Sequence, residues 1–210
     1  MHFLITAGPT REPLDPVRFL SNRSSGRMGY ALAEAALAAG HAVTLVSGPV
    51  ALPVPAGANR VRIETAREMF EAVRDAIGGC DVAIFCAAVA DYRPVATAEH
   101  KLKKSGDRLV LELEPTEDIL GSARSVFGFR GYLVGFAAET ERLVEHAQGK
   151  LERKGCDLMI ANDVARPGIG FDSDENEVIL CLPGGSTRAL PRQSKKDLAR
   201  ELVAFIASAA

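Results

Sequence analysis

Arg18, Asn22, Ser24 and Ser25 lie close together in one polar stretch, residues 8–25, with Gly26 directly after it, between an apolar run that ends at Ala7 and a helix-forming run from Tyr30. Serines followed by glycine at a helix start offer unpaired backbone N–H groups and the positive end of the helix dipole. Together these favour an anion, by about 0.3–1 kcal/mol per exposed charge. Gly26 lets the backbone approach a ligand closely. Arg11, Arg18 and Arg23 add planar guanidinium forks that match carboxylate or phosphate. Asn22 is neutral, so phosphate attraction does not explain it; an amide can orient a carbonyl or acyl group through one donor and one acceptor. Plainer roles fit the same residues: Ser24 or Ser25 as an N-cap worth about 1 kcal/mol, and Asn22 as a turn residue. The connection runs to roughly 17 residues, beyond the usual strand-to-helix length of about 2–6, and so reads as functional or disordered.

Three further groups could do chemistry. Ala87-Ala-Val-Ala-Asp-Tyr-Arg93 follows a strand-like run. Its Asp91 suits either a turn or the reception of a sugar, base or metal-bound group. Glu99-His-Lys-Leu-Lys-Lys104 places Lys101 and Lys103 on one face if extended, as a solvated surface or as a basic flap over phosphates. Lys150 and Lys154 are four apart on a helical pattern, so they share a face at a cost of about 0.2–0.5 kcal/mol. A solvated face tolerates that; a paired grip on a nucleotide also requires it. Cys80, Cys86, Cys156 and Cys181 have no C-x-x-C spacing, and His2, His41, His100 and His146 have no metal-ligand spacing. The thiols read as reduced and mostly buried, as in a cytoplasmic protein.

The elements that must position these residues alternate. Strands are expected at residues 3–7, 42–47, 60–63, 82–86, 132–136 and 158–161. Helices are expected at 26–39, 66–77, 117–126, 139–154 and 195–209. Thr65 with Glu68, and Ser194 with Asp197, have capping-box character. Residues 109–113 and 178–182 read as strands of a smaller antiparallel addition. The pattern predicts an α/β fold: one Rossmann-like, doubly wound, mainly parallel sheet over residues 1–210. Its ligand belongs at the carboxyl ends of the strands, near the switch in strand order. Hydrophobic residues make up 47% of the 210-residue chain and the formal charge is −2. That balance gives no electrostatic footprint for nucleic acid. No apolar run reaches the ~18–20 residues of a membrane span, and no signal peptide is expected.

An NAD(P)-dependent oxidoreductase is one reading of Gly26-Arg-Met-Gly29 with Ala31, Ala35 and Gly40. Against it, no G-x-G-x-x-G occurs, and the second strand ends in Ser-Gly rather than a ribose-binding acid. Tyr30, Tyr92 and Tyr132 also lack a lysine four residues on. Gly149-Lys150 lacks the rest of a P-loop. A non-enzymatic nucleotide-binding module is the other alternative.

The chain resembles the phosphopantothenoylcysteine synthetase family, the phosphopantothenate–cysteine ligases of coenzyme A biosynthesis. The resemblance rests on residues 6–18, Ser21-Asn-Arg-Ser-Ser-Gly26, Leu45-Val-Ser-Gly-Pro49, residues 87–93, Lys101-Leu-Lys-Lys104, Gly135-Phe-Ala-Ala-Glu-Thr140 and Ala161-Asn-Asp163. It implies that 4′-phosphopantothenate attacks CTP to give an acyl-cytidylate and pyrophosphate. L-cysteine then displaces CMP to form the amide. It implies Mg²⁺ or Mn²⁺ on the triphosphate, with no metal ligands specified, and a homodimer in which a flap helps form the site. By matching motif, Asn22 and Arg18 would serve catalysis, and Asn22 and Ala88 the acyl substrate. Ser24, Ser25, Gly26, Phe85, Cys86, Ala87, Asp91, Lys101, Thr116, Asp118, Ile119, Leu120, Phe136, Lys150 and Lys154 would meet the nucleotide. Thr116-Glu117-Asp118 departs from the Asn-Pro-Asp common in the family. Many members carry a flavin-dependent decarboxylase ahead of the ligase. Here the expectation is either a stand-alone ligase, with the decarboxylase as a separate partner, or an excised one, in both cases with no flavin on this polypeptide.

Overall fold

A computed structural model of the chain describes residues 1–104, 106, 108–139, 141–163 and 173–210. In chain order the elements begin with β1 (His2–Ala7), β2 (Arg11–Pro13), β3 (Phe19–Ser21), α1 (Arg27–Ala38), β4 (Ala42–Ser47), β5 (Asn59–Arg62) and α2 (Ala66–Ile77). Next come β6 (Val82–Phe85), β7 (Tyr92–Pro94), β8 (Leu113–Pro115), α3 (Ile119–Ser125), β9 (Tyr132–Glu139) and α4 (Leu143–Lys154). The chain closes with β10 (Leu158–Asp163), β11 (Glu175–Cys181), β12 (Thr187–Ser194) and α5 (Lys195–Ala209).

Eight strands form the main sheet in the order β12-β11-β10-β9-β6-β1-β4-β5. From β10 to β5 every pairing is parallel; β11 and β12 close one edge antiparallel. The α/β expectation holds. The continuous apolar runs of the strands follow from burial on both faces. Phe3, Ile5, Leu45, Ile84 and Val134 pack with α1 and α5 on one side. Leu4, Val46, Ala83, Leu133 and Met159 pack with α2, α3 and α4 on the other.

Four segments differ from the sequence expectation. The stretch between β1 and α1 holds a short antiparallel hairpin, β2–β3. Residues 137–139 continue β9, so Glu139 ends that strand rather than opening α4, because Ala137, Ala138 and Glu139 pair with Ala161, Asn162 and Asp163; Thr140, also counted in that helix, lies outside the described residues. Within 109–113 only Leu113 enters a strand, since the pairing is of Leu113–Pro115 with Tyr92–Pro94. The antiparallel addition at 178–182 does form, as part of β11, but on the edge of the main sheet. Its partner β12 carries no apolar alternation, only Leu190 being deeply buried, and it accommodates Pro191 as an edge strand can.

Thr65 caps α2 through a reciprocal box: the Glu68 N–H donates to Thr65 Oγ1 (3.1 Å), and the Thr65 N–H donates to Glu68 Oε2 (3.2 Å). Thr65→Ala is expected to cost about 1 kcal/mol and to lower the melting temperature by about 2–4 °C. An unchanged melting curve would remove the box from the stability of α2.

Candidate functional site

Numbered by their order in the chain, the parallel strands run 3-2-1-4-5-6 across the sheet, and the order reverses between β1 and β6. Chain segments leave these two strands in opposite directions, which opens a crevice at their carboxyl ends. A cavity of about 590 Å³ occupies it, within the range of ligand sites.

Threonines brace its backbone. The Ala87 N–H donates to Thr6 Oγ1 (3.2 Å) and the Ala90 N–H to Thr10 Oγ1 (2.9 Å), while Thr116 Oγ1 donates to Ala90 O (2.6 Å). The loop after β6 is thereby tied to β1, to the hairpin and to β8. Two glycines permit close approach beside it. A Cβ on Gly48 would lie 1.8 Å from Pro9 O, and Gly26 takes φ +75° with Val50 Cγ1 2.7 Å from where a Cβ would stand.

Gly26 is the residue before α1, and no side-chain hydrogen bond caps this helix. Ser24 Oγ accepts from the Gly26 N–H (3.3 Å) rather than capping α1. The start of α1 faces the cavity through Gly26, Met28 and Gly29, so its positive dipole end points into the space where an anion would sit.

Asn22 is fixed from behind. Its Nδ2 donates to Ala88 O (3.0 Å) and Val89 O (3.1 Å). Two carbonyl partners require the amide nitrogen on that side, which leaves Oδ1 as an acceptor. Opposite lie the two lysines of α4. Lys150 Nζ donates to Glu139 Oε1 (2.8 Å), and Lys154 pairs with Asp118. Asp118 also caps α3, accepting from the Gly121 N–H (2.9 Å). Burial works against its carboxylate, but the Lys154 ammonium and this N–H outweigh that and lower its pKa.

Every residue carried over by matching motif lines this cavity except Arg18 and Lys101. Arg18 is engaged with Asp15 and Leu102 O, and Lys101 is exposed. Arg11 stacks over Phe19, its guanidinium 4.5 Å from the ring centroid. None of the three arginines of the 8–25 stretch lines the cavity. Its cations are Lys150, Lys154, Arg27 and Lys195. Arg27, Asn176 and Lys195 were not singled out in sequence, and Asn162 only as part of the Ala161-Asn-Asp163 motif. Lys195 is 6% exposed, and only the return of β11, β12 and α5 to this end of the sheet brings it and Asn176 here. At the end of β4 the Ser47 hydroxyl donates to Gly48 O (2.9 Å) and lies 2.9 Å from the Tyr30 hydroxyl. A dinucleotide ribose would meet no acid there. Among the described residues, no group of three His, Cys, Asp or Glu is placed to hold a metal ion, and no helix is long and apolar enough to cross a membrane.

Burial raises the Cys86 thiol to about 12, despite the nearby Lys195 charge. Cys80 is raised to about 11 and Cys156 to about 12 by burial, and Cys181 is raised by the same cause. Protonated, buried thiols are poor nucleophiles, so Cys86 meets a ligand as backbone and bulk.

The parallel sheet with its reversed strand order, and a cavity walled by a helix start, braced backbone and paired lysines, define an α/β protein with a ligand-sized crevice at the carboxyl ends of its strands. The chain belongs to the family described as the DNA/pantothenate metabolism flavoprotein C-terminal domain, whose model matches residues 1–209. It is 49% identical over 202 residues to the coenzyme A biosynthesis bifunctional protein CoaBC of Vibrio vulnificus (strain YJ016), covering 95% of this chain and 50% of that protein. To the protein of the same description from Escherichia coli (strain K12) it is 47% identical over 206 residues, covering 97% and 50%. The chain thus spans about half the length of these curated relatives. It also matches the crystal structure of the C-terminal domain of a coenzyme A biosynthesis bifunctional protein CoaBC, with a TM-score of 0.84 and 42% identity over 99% of this chain and 94% of that one.

The four thiols are expected to resist Ellman's reagent at pH 8 in the folded chain and to react fully on unfolding. The unfolded chain releases thiol protons above about pH 8.5, while the folded chain retains those of Cys80, Cys86 and Cys156 to about 11–12 and holds that of Cys181 above its usual range. Stability should therefore fall as pH rises above about 8.5. Rapid native labelling of any one thiol would contradict this.

Proposed function

We propose that the chain is a phosphopantothenate–cysteine ligase of coenzyme A biosynthesis, using CTP and an acyl-cytidylate intermediate. The observation that carries this reading is Asn22: an amide locked by two backbone carbonyls, with an acceptor left over, at the junction of the α1 start and the loop after β6.

In the first step a carboxylate oxygen of 4′-phosphopantothenate bonds to the α-phosphorus of CTP, and the bond to pyrophosphate breaks. Charge crowds at the phosphates, and the α1 start, Lys150 and Lys154 are the groups to offset it. The lysines would exchange Glu139 and Asp118 for phosphate oxygens. Mg²⁺ supplies further charge neutralisation when bound. It keeps several waters and needs one or two carboxylates besides substrate phosphates, a demand that Asp91 and Asp118 at the cavity fit. In the second step the cysteine amine bonds to the acyl carbon, CMP leaves and the amine loses a proton. With its N–H groups engaged, Asn22 can offer only Oδ1, which suits an amine N–H better than an acyl oxygen. Thr116, Ile119, Leu120 and Phe136 would enclose the nucleoside, and Phe85, Cys86 and Ala87 would meet it through backbone.

A homodimer is part of this reading. Phe19, Tyr92, Val95 and Leu113 are 41–55% exposed on or beside the two small antiparallel strand pairs, a cluster of apolar surface that suits a protein contact. A cytoplasmic setting completes it.

The test is pyrophosphate release from CTP on adding 4′-phosphopantothenate, followed by amide formation with cysteine. No release with CTP or ATP would sink the reading. Asn22→Asp should set a carboxylate against the Ala88 and Val89 carbonyls. Amide formation is expected to fall by about 10²-fold, as for a comparable misplacement, with CTP affinity changed far less. Unchanged turnover would take Asn22 out of the mechanism. Sedimentation should give a dimer that Leu113→Asp shifts toward monomer; a wild-type monomer would contradict the shared-site component.

A further inference from the structure

We propose that Asp15 is a positioning residue for the basic segment around Lys101, and that Arg18 acts with it as a clasp on that segment. The nucleotide consequence rests on the ligase reading; the clasp itself does not.

The loop between β2 and β3 is exposed at Pro16, Val17 and Arg18, yet the Asp15 side chain in its midst has 0% exposure. A carboxylate taken out of water must have its lone pairs met, and here they are. Oδ1 accepts from the Val17 N–H (2.8 Å) and the Arg18 N–H (2.9 Å), which shapes the hairpin turn. Oδ2 accepts from Arg18 Nε (3.0 Å), Arg18 Nη2 (2.6 Å) and the N–H of Leu102 (3.1 Å), 87 residues along the chain. Arg18 Nη2 then donates to Leu102 O (2.6 Å). One carboxylate oxygen organises the turn, and the other, with the guanidinium, holds both backbone polar groups of Leu102.

Two more bonds lay the preceding residues along the same loop. Thr97 Oγ1 donates to Pro13 O (3.1 Å), and the Ala98 N–H donates to Leu14 O (3.0 Å). Lys101 and Lys103 therefore project from backbone fixed at Leu102, although both side chains are exposed. The Arg18 guanidinium foremost, with the backbone donors, overcomes burial and holds the Asp15 carboxyl well below the usual carboxylate range. The clasp is thus charge-assisted at neutral pH. It gives Arg18 a task on the flap, in place of a role as an anion ligand within the cavity of its own chain.

Asp15→Asn separates the two oxygens. An asparagine keeps Oδ1 for Val17 and Arg18 but turns N–H groups toward the Leu102 N–H and the Arg18 fork. Amide hydrogen exchange on the full 210-residue chain reads the result. In the unaltered chain Leu102 is expected to exchange at least about tenfold more slowly than Lys103 and Lys104, which needs no variant to fold. In Asp15→Asn the Leu102 amide should accelerate by about tenfold or more while Val17 and Arg18 stay protected. The KM for CTP should rise about fivefold or more with kcat changed less than about twofold, the signature of lost binding rather than lost chemistry. Leu102 exchanging as fast as Lys103 in the unaltered chain, or unaltered by the substitution, would overturn the clasp. Release of Leu102 without a change in KM would overturn its positioning role. Absence of pyrophosphate release from the unaltered chain would overturn the ligase reading and the nucleotide consequence with it, while Leu102 exchange would still decide the clasp.

Discussion

The double pairing of β1 is the constraint on which the rest depends. Phe3 through Thr6 are matched to Val82 through Phe85 on one side and to Val43 through Val46 on the other. Because the chain leaves β1 and β6 in opposite directions, their carboxyl ends cannot be covered by one connection, and a crevice remains. The residues that follow must then do two things at once: satisfy backbone groups that the sheet no longer pairs, and leave room for a ligand. Thr6, Thr10 and Thr116 meet the first demand with short hydroxyls. Gly26, Gly29 and Gly48 allow the close packing around the crevice, having no Cβ where Val50, Ala7 and the Pro9 carbonyl, respectively, would collide with it.

The charges at the cavity follow a consistent pattern. Lys150 and Lys154 each face a carboxylate, Glu139 and Asp118. Lone ammonium groups held together on one helix face would repel; paired, they are positioned at little electrostatic cost and can exchange a carboxylate for a phosphate. On the ligase reading the protein's work lies in arranging anions rather than in forming bonds to them, which agrees with four cysteines whose thiols are all raised by burial.

Much of this was legible in the residues because local rules and tertiary demands agree. Ala66–Ile77 and Lys195–Ala209 were readable from apolar period and from Thr65 and Ser194 at their starts, and β4 from its continuous apolar run. The family motifs and the residues carried over with them account for most of the cavity lining. What was not legible depended on partners distant in sequence. The end of β9 is set by β10 and not by its own helical composition. β12 has so little buried surface that no period marks it. Arg18 reads as an anion ligand until Asp15 and Leu102 are seen around it, and Lys195 and Asn176 are ordinary surface types until the last strands carry them back to the crevice.

Transfer of oxygen from the acid to the nucleotide tests the central claim most directly. 4′-Phosphopantothenate labelled with oxygen-18 in its carboxylate, turned over with CTP and cysteine, should yield CMP carrying one labelled oxygen on its phosphate. That follows only if the carboxylate has bonded to the α-phosphorus and the amine has cleaved the acyl–oxygen bond. Label found in inorganic phosphate or pyrophosphate, or retained wholly outside CMP while amide forms, would contradict the account.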